Sequence, residues 1–234
     1  IENLGKIINC NLFKKKIIGF DPKLFTSFQI KRFFLKNNKV KQIQSNLIEK
    51  IFGKNQTKSK PFFSLEKRIV GESHTSKIAK IIKFLKKTKS NYLFISAPEN
   101  VAWLLNIRGY DNPYSPIPNC RLLINDNGNI HLIVEMTKVE KLIKEKKIKK
   151  YQIIDPKNFE AFINNLEKKK MIIDKKSCSL FYEKILKKKF ILVQKEDPIY
   201  YLKSLKNKSE IQNMINAHIL DGAALTKFLY WIKK

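Results

Sequence analysis

Residues 92–135, YLFISAPENVAWLLNIRGYDNPYSPIPNCRLLINDNGNIHLIVE, carry most of the reading that decides the fold. YLFIS (92–96) is a short apolar run of strand-forming residues and reads as a buried strand. Ser96 and Glu99 have the S-x-x-E spacing of a capping box, with Pro98 suited to a first helical turn, so AWLLN is expected on a helix. That helix is expected to end at Arg108-Gly109, the glycine serving as a C-cap. A stiff loop with Pro113, Pro116 and Pro118, and tyrosines at 110 and 114, comes next. Arg121 to Asn125 and Asn129 to Glu135 flank Asp126, Asn127 and Gly128, which predicts a hairpin.

Outward from this stretch the pattern alternates. Ser76 to Lys87 has apolar residues at 78, 81, 82 and 85, a helical stripe. Beyond the hairpin come a helix near 137–147, a strand YQIID (151–155) and a helix capped by Asp155-Pro156 that reaches about Lys168. A strand MIID (171–174), a helix near 179–188 and a strand FILVQ (190–194) complete the series. Strands interleaved with helices predict an α/β fold with helices on the sheet faces, and the hairpin makes the sheet mixed. In residues 1–60, KKIIGFD is a short apolar run and PKLFTSFQIKRFFLKN spaces Leu24, Phe28, Phe33 and Phe34 as a helix would. Val40 to Gln44 fits a strand and NLIEKIF a short helix. GKNQTKSKPFF (53–63) is a linker signal, so a first boundary is expected near Lys60. Ser209 with Glu210 is expected to open a last helix with apolar residues at 211, 214, 215, 219, 225 and 229. If it runs to Lys234 it spans roughly 40 Å.

Composition narrows the function classes. The 234 residues hold 48 Lys and Arg against 20 Asp and Glu, a formal charge of +28. Only Arg32, Arg68, Arg108 and Arg121 are arginine. Dedicated nucleic-acid surfaces favour the planar arginine fork, and the lysines lie on the polar faces of apolar-periodic segments, so specific nucleic-acid binding is not expected. Cys10, Cys120 and Cys178 are far apart and odd in number, which fits a reducing compartment and sets a cytoplasmic expectation. No run approaches the ~18 apolar residues of a membrane span. Residue 1 is Ile and the first Met is Met136, and the last residues read as helix to the end; the chain is expected to be cut at both ends.

No chemistry-bearing motif emerges from spacing. His74, His131 and His218 have no HExxH or paired acid beside them, and they read as a surface residue, a hairpin residue opposite Ile130 and Leu132, and a core histidine respectively. No G-x-S-x-G, G-x-G-x-x-G or G-x-x-x-x-G-K occurs. The loop of Arg108, Tyr110, Asp111 and Tyr114 admits two readings. In one, Arg108 pairs with an acid such as Asp111 and the tyrosines pack the loop down. In the other, the rigid aromatic loop walls a cleft or a subunit contact.

IS-x-x-E-x-x-AWLLN-x-RG-x-D-x-PY-x-P resembles the middle domain of the three-domain aminopeptidases P, of the creatinase/prolidase pita-bread group of metallopeptidases. Pro98-Glu99-Asn100 departs from the family's usual LDEI before AWLLN. A second block resembles the family's entry into its catalytic domain, at Lys206, Asn207, Glu210, Ile211, Met214, Ala217, His218, Asp221, Gly222, Ala224, Leu225, Phe228, Leu229 and Trp231. GFDPKLFT (19–26) is similar to the tail of the family's first domain. The resemblance implies residues 1–60 as the end of a first domain, 61–203 as a second creatinase-like domain, and 204–234 as the start of the catalytic domain. It implies a whole protein that removes the residue before proline from peptides with proline at the second position. Two divalent ions, usually manganese, would activate water there. The family's two Asp, one His and two Glu ligands have no counterpart here, and His218 matches a helix position, not a ligand. The substrate-contacting arginine of the first domain would precede Ile1. A homodimer, no membrane and no specific nucleic acid are the implied partner states. The alternative is a stand-alone binding module for a polyanion or a protein.

Overall fold

The structure is a computed structural model, and it describes residues 6, 7, 10, 13, 15–34, 38–43, 46–52 and 60–234. The first described unit pairs β1 (Ile17–Phe20) in parallel with β2 (Lys39–Gln42), joined through α1 (Ser27–Phe33). Thr26 starts α1 with a reciprocal cap: its hydroxyl accepts the Gln29 N–H at 3.1 Å, and the Gln29 side chain accepts the Thr26 N–H at 2.9 Å. Ile30 and Phe34 turn inward onto Phe20. Leu24 and Phe28, expected on the buried stripe, are exposed. Leu24 lies in the turn before the cap, and Phe28 sits about 200° around the helix from Ile30. A short helix α2 (Leu47–Phe52) follows, as NLIEKIF suggests. The end of the expected strand at Gln44 and most of the linker, residues 53–59, lie outside the described residues. Phe62, near the end of the expected linker, is fully buried.

The larger unit is built on a six-stranded mixed sheet. Its strands are β4 (Tyr92–Ile95), β6 (Arg121–Asn125), β7 (Ile130–Ile133), β8 (Ile153–Ile154), β9 (Lys170–Ile173) and β10 (Ile191–Gln194). They lie in the order β10-β9-β4-β6-β7-β8. β4, β9 and β10 run parallel, as do β7 and β8, while the hairpin partner β6 is antiparallel to both β4 and β7. A separate two-residue pair, β3 (Phe63–Ser64) with β5 (Ile107–Arg108), closes one end.

Strand alternation separates two cores. Leu93, Ile95, Leu122, Ile124 and Ile172 face one side, under α4 (His74–Lys87), α5 (Pro98–Leu105) and α6 (Met136–Lys144). Phe94, Leu123, Met171 and Ile173 face the other, under α7 (Phe159–Asn164) and α8 (Leu180–Lys189). Each of these side chains taken from water contributes roughly 1.5–3 kcal/mol, so the three-layer sandwich is stabilised on both faces. The remaining helices are α3 (Lys67–Val70), α9 (Pro198–Ser204) and α10 (Lys208–Lys233).

Four boundaries differ from expectation. The capping box at Ser96 does not form: Pro98 is the first helical residue, so Ala97 holds the cap position and the Ser96 hydroxyl meets Ser177 at 2.9 Å. α5 ends at Leu105 rather than Arg108, because Asn106 takes the left-handed conformation (φ 57°) that stops the helix. Asp155 caps a single 3-10 turn at 156–158, and α7 stops at Asn164, short of Lys168. α10 is capped by Asn207 instead of Ser209.

Candidate functional site

The four loop residues are placed by α5 and β5, and the structure does not bring Arg108 and Asp111 together. Arg108 turns its guanidinium back onto α5, donating to the carbonyls of Ala102 at 3.1 Å and Ile107 at 2.8 Å. The Ala102 carbonyl also accepts the Asn106 N–H that closes α5, so Arg108 adds a second donor at the helix end. Burial lowers its pKa, opposed by the Glu210 charge. Asp111 instead pairs with Lys138 at 2.7 Å, both side chains about 85% covered, and accepts the Asn119 N–H at 2.6 Å. The pairing expected between Arg108 and Asp111 is therefore replaced by two separate braces. Tyr110 stacks on Phe63 with centroids 5.2 Å apart, with the Lys60 ammonium 5.5 Å from its ring centroid. Tyr114 is fully exposed at φ 63°, so only one of the two tyrosines packs the loop down. Gly109 is required by space: a Cβ there would sit 2.9 Å from Phe62 and from the Pro118 backbone.

A second cluster was missed in the sequence. Lys77 is buried at the N-terminal end of the α4 stripe, donating to Trp103 O at 2.9 Å and Asn106 Oδ1 at 2.7 Å, 4.1 Å from the Trp103 ring centroid. Burial lowers its pKa to about 8, against the raising effect of Glu210 and Glu72. The Asn106 amide also donates to Glu72 O at 2.9 Å, and the Trp103 indole reaches Glu210 at 3.4 Å. The signal available was spacing: Lys77 lies one turn before Ile81 and two before Leu85, on the apolar face. Through Glu210 the cluster meets the first turn of α10. There Asn207 donates to Val70 O at 2.8 Å and Asn213 to Ile69 O at 2.9 Å.

A third group collects at the C-terminal ends of β4, β9 and β10. Asp197 accepts from the Asn100 amide at 2.7 Å and the Ile199 N–H at 2.9 Å, and Asp174 accepts the Asp197 N–H at 3.1 Å. Lys203 donates to Asn100 Oδ1 at 2.6 Å. Burial raises the Asp197 pKa to about 6, opposed by the Asn100 hydrogen bond. These carboxylates are spent on backbone and amide donors. Among the described residues no three His, Cys, Asp or Glu side chains converge to hold a cation, so those residues do not fit a two-metal centre.

The other reactive side chains are equally occupied or remote. Cys120 and Cys178 are buried, and burial raises both thiols, Cys178 to about 12. His131 packs on Phe162 with centroids 4.7 Å apart, and burial lowers its pKa. His74, expected at the surface, is half-buried at the start of α4, with burial first and then Lys147 and Lys77 lowering its pKa. His218, expected in a core, is exposed, because nothing among the described residues packs on that part of α10. No described helix is long and apolar enough to cross a membrane.

The described geometry is thus a braced scaffold with a long helix leaving it. Residues 53–210 match the creatinase/prolidase N-terminal domain. The chain belongs to that family. Its relatives include Xaa-Pro aminopeptidase 1 of Dictyostelium discoideum, 28% identical over 96% of this chain and 38% of that protein. Xaa-Pro aminopeptidase app-1 of Caenorhabditis elegans is 27% identical over 95% of this chain and 38% of its own length. The solved X-prolyl aminopeptidase of Caenorhabditis elegans, described as a cytosolic enzyme with a di-nuclear active site, superposes with a TM-score of 0.81. It is 22% identical, and the match covers all of this chain and 40% of that one. The likeness confirms the α/β fold with its mixed sheet flanked by helices. This chain spans about 38% of the length of the relatives it matches.

Proposed function

We propose that this chain is the noncatalytic platform of a metallo-aminopeptidase that hydrolyses the bond before proline in peptides with proline at the second position. The observation that carries this reading is the similarity to Xaa-Pro aminopeptidases over 95–96% of the chain. In this reading residues 1–60 end a first domain, 61–203 form a second creatinase-like domain and 204–234 begin the pita-bread catalytic domain. Two divalent ions, manganese on the family resemblance, would supply Lewis-acid activation of water in that further domain. The residues here would set where the domain sits. Asn207, Glu210 and Asn213 hold the first turns of α10 against α3 and Trp103. The loop of Arg108, Tyr110, Asp111 and Tyr114 would form a contact edge, with Tyr114 outward, Tyr110 stacked on Phe63, and Arg108 and Asp111 as its braces. We place the whole protein in the cytoplasm as a homodimer.

The test compares two proteins with Mn²⁺ and an Xaa-Pro peptide. The product of the whole reading frame is expected to release the first residue and to lose that activity on chelation. The 234-residue chain alone is expected to give no turnover above blank. Turnover by the chain alone, or none by the whole product, would overturn the reading.

A further inference from the structure

We propose that the joint between the first unit and the sheet domain is a binding site for a phosphate group, free or as a phosphomonoester. A cleft of about 400 Å³ there is lined by Lys23, Arg121, Pro156, Lys157, Phe181 and Tyr182. Three lining residues are cations and none is an acid. Arg121 is the anchor. It is the first residue of β6 and shares the sheet face of Leu123, which places its guanidinium 4.7 Å from the Tyr182 ring centroid. Among the described residues it meets no hydrogen-bond acceptor and no carboxylate. The other arginines are committed or exposed: Arg108 to two carbonyls, Arg68 to Glu66, and Arg32 out on α1 beside the Phe33 ring. A half-buried planar fork held over a ring and left without an oxygen partner fits a bidentate oxyanion.

The rest of the cleft is assembled by tertiary contacts. The first N–H groups of α8 are taken by the segment after β1: Leu180 donates to Phe25 O at 2.8 Å and Phe181 to Pro22 O at 2.9 Å. That docking sets the Lys23 ammonium 5.4 Å from the Phe181 ring centroid. Lys157 arrives on the 3-10 turn at 156–158. The acids nearest in sequence, Asp21 and Asp155, are turned to the Lys23 and Lys157 backbone N–H groups at 2.8 Å each. Three cations suit a dianion better than a monocarboxylate, and Pro156 offers an apolar wall for an organic body. The site is independent of the peptidase reading, since it uses none of the residues assigned there.

The test is calorimetric titration of the chain with inorganic phosphate, glycerol phosphate, acetate and chloride. Ionic strength is held near 0.15 M, where the Debye length of about 8 Å suppresses diffuse attraction to the +28 surface. Saturable phosphate binding, weaker for acetate and absent for chloride, is expected. Arg121→Ala should weaken it at least tenfold, and the exposed double change Lys23→Ala with Lys157→Ala several-fold, with unliganded melting of the double variant unchanged. Arg121→Lys should recover only part of the loss, because a point charge lacks the fork. Tighter glycerol phosphate than inorganic phosphate would identify an esterified ligand, and equal affinities free phosphate. Equal loss from removing the remote Lys144 and Lys187, or full binding by both the Arg121→Ala and double variants, would overturn the proposal.

Discussion

A lysine buried beneath an indole is an expensive choice, and Lys77 shows what it does. Its ammonium is held by Trp103 O and Asn106 Oδ1, yet burial still brings its pKa down to about 8. An unfolded lysine titrates near 10.4, so between about pH 8 and pH 10 the unfolded chain binds more protons than the folded one. Stability is therefore expected to rise with pH across that window. Below pH 8 the charge is present in both states and the burial penalty is at its full size. Lys77→Met keeps the length and removes the charge, and urea melts at pH 7, 8.5 and 10 should show the rise flattened. An undiminished rise in the variant would count against this account. Asp197 carries the opposite sign. With its folded pKa near 6, above an unfolded value of about 3.9, stability should fall as pH rises from about 4 to 6. Asp197→Asn should remove that fall in melts taken at pH 4, 5 and 6.5.

Among the elements, α10 depends on its first turn. Asn207 accepts the Glu210 N–H at 3.0 Å, Glu210 accepts the Asn207 N–H at 2.9 Å, and the Asn207 amide reaches Val70 O. Losing such a cap costs about 1 kcal/mol in general, and here it also severs the tie to α3. Asn207→Ala is expected to speed amide exchange in the first two turns of α10 while leaving the central strands β4 and β6 protected. Gly71→Ala should do the same from the other side. Gly71 has φ 71°, where a Cβ is strained by roughly 1–2 kcal/mol, and that Cβ would collide with the Asn207 amide. Exchange unchanged in both variants would show that α10 is held elsewhere. α5 teaches a related point. Its helical pattern was readable from AWLLN, but its end was not, because Asn106 is locked left-handed by Lys77 and Glu72, which are distant in sequence.

At the scale of the whole molecule, residues 211–234 are all exposed, with Ile211, Met214, Ile215, Ile219, Phe228 and Trp231 among them. Single exposed apolar residues are ordinary, but so many large ones exposed around one helix exceed what soluble surfaces usually leave open. The 234-residue chain is accordingly expected to self-associate through residues 211–232. Sedimentation at increasing concentration should show a rising mass, reduced by Ile215→Lys with Ile219→Lys, and a monodisperse monomer would refute the expectation.

The strand and helix order and the hairpin at Asp126 to Gly128 were legible from local pattern alone, while the blocks around AWLLN and the α10 opening were legible as a resemblance to a family. Periodicity and turn chemistry are local properties, and the sheet core follows from them because alternating residues must face opposite layers. Tertiary structure alone decided which charged groups meet. Arg108 turned from Asp111 to the Ala102 and Ile107 carbonyls, Lys77 became a buried hub, and Lys23 came to line one cleft with Arg121 across nearly a hundred residues. The reason is physical: a charged side chain takes whatever partner desolvation leaves within reach, and that is set by packing between elements rather than by spacing along the chain.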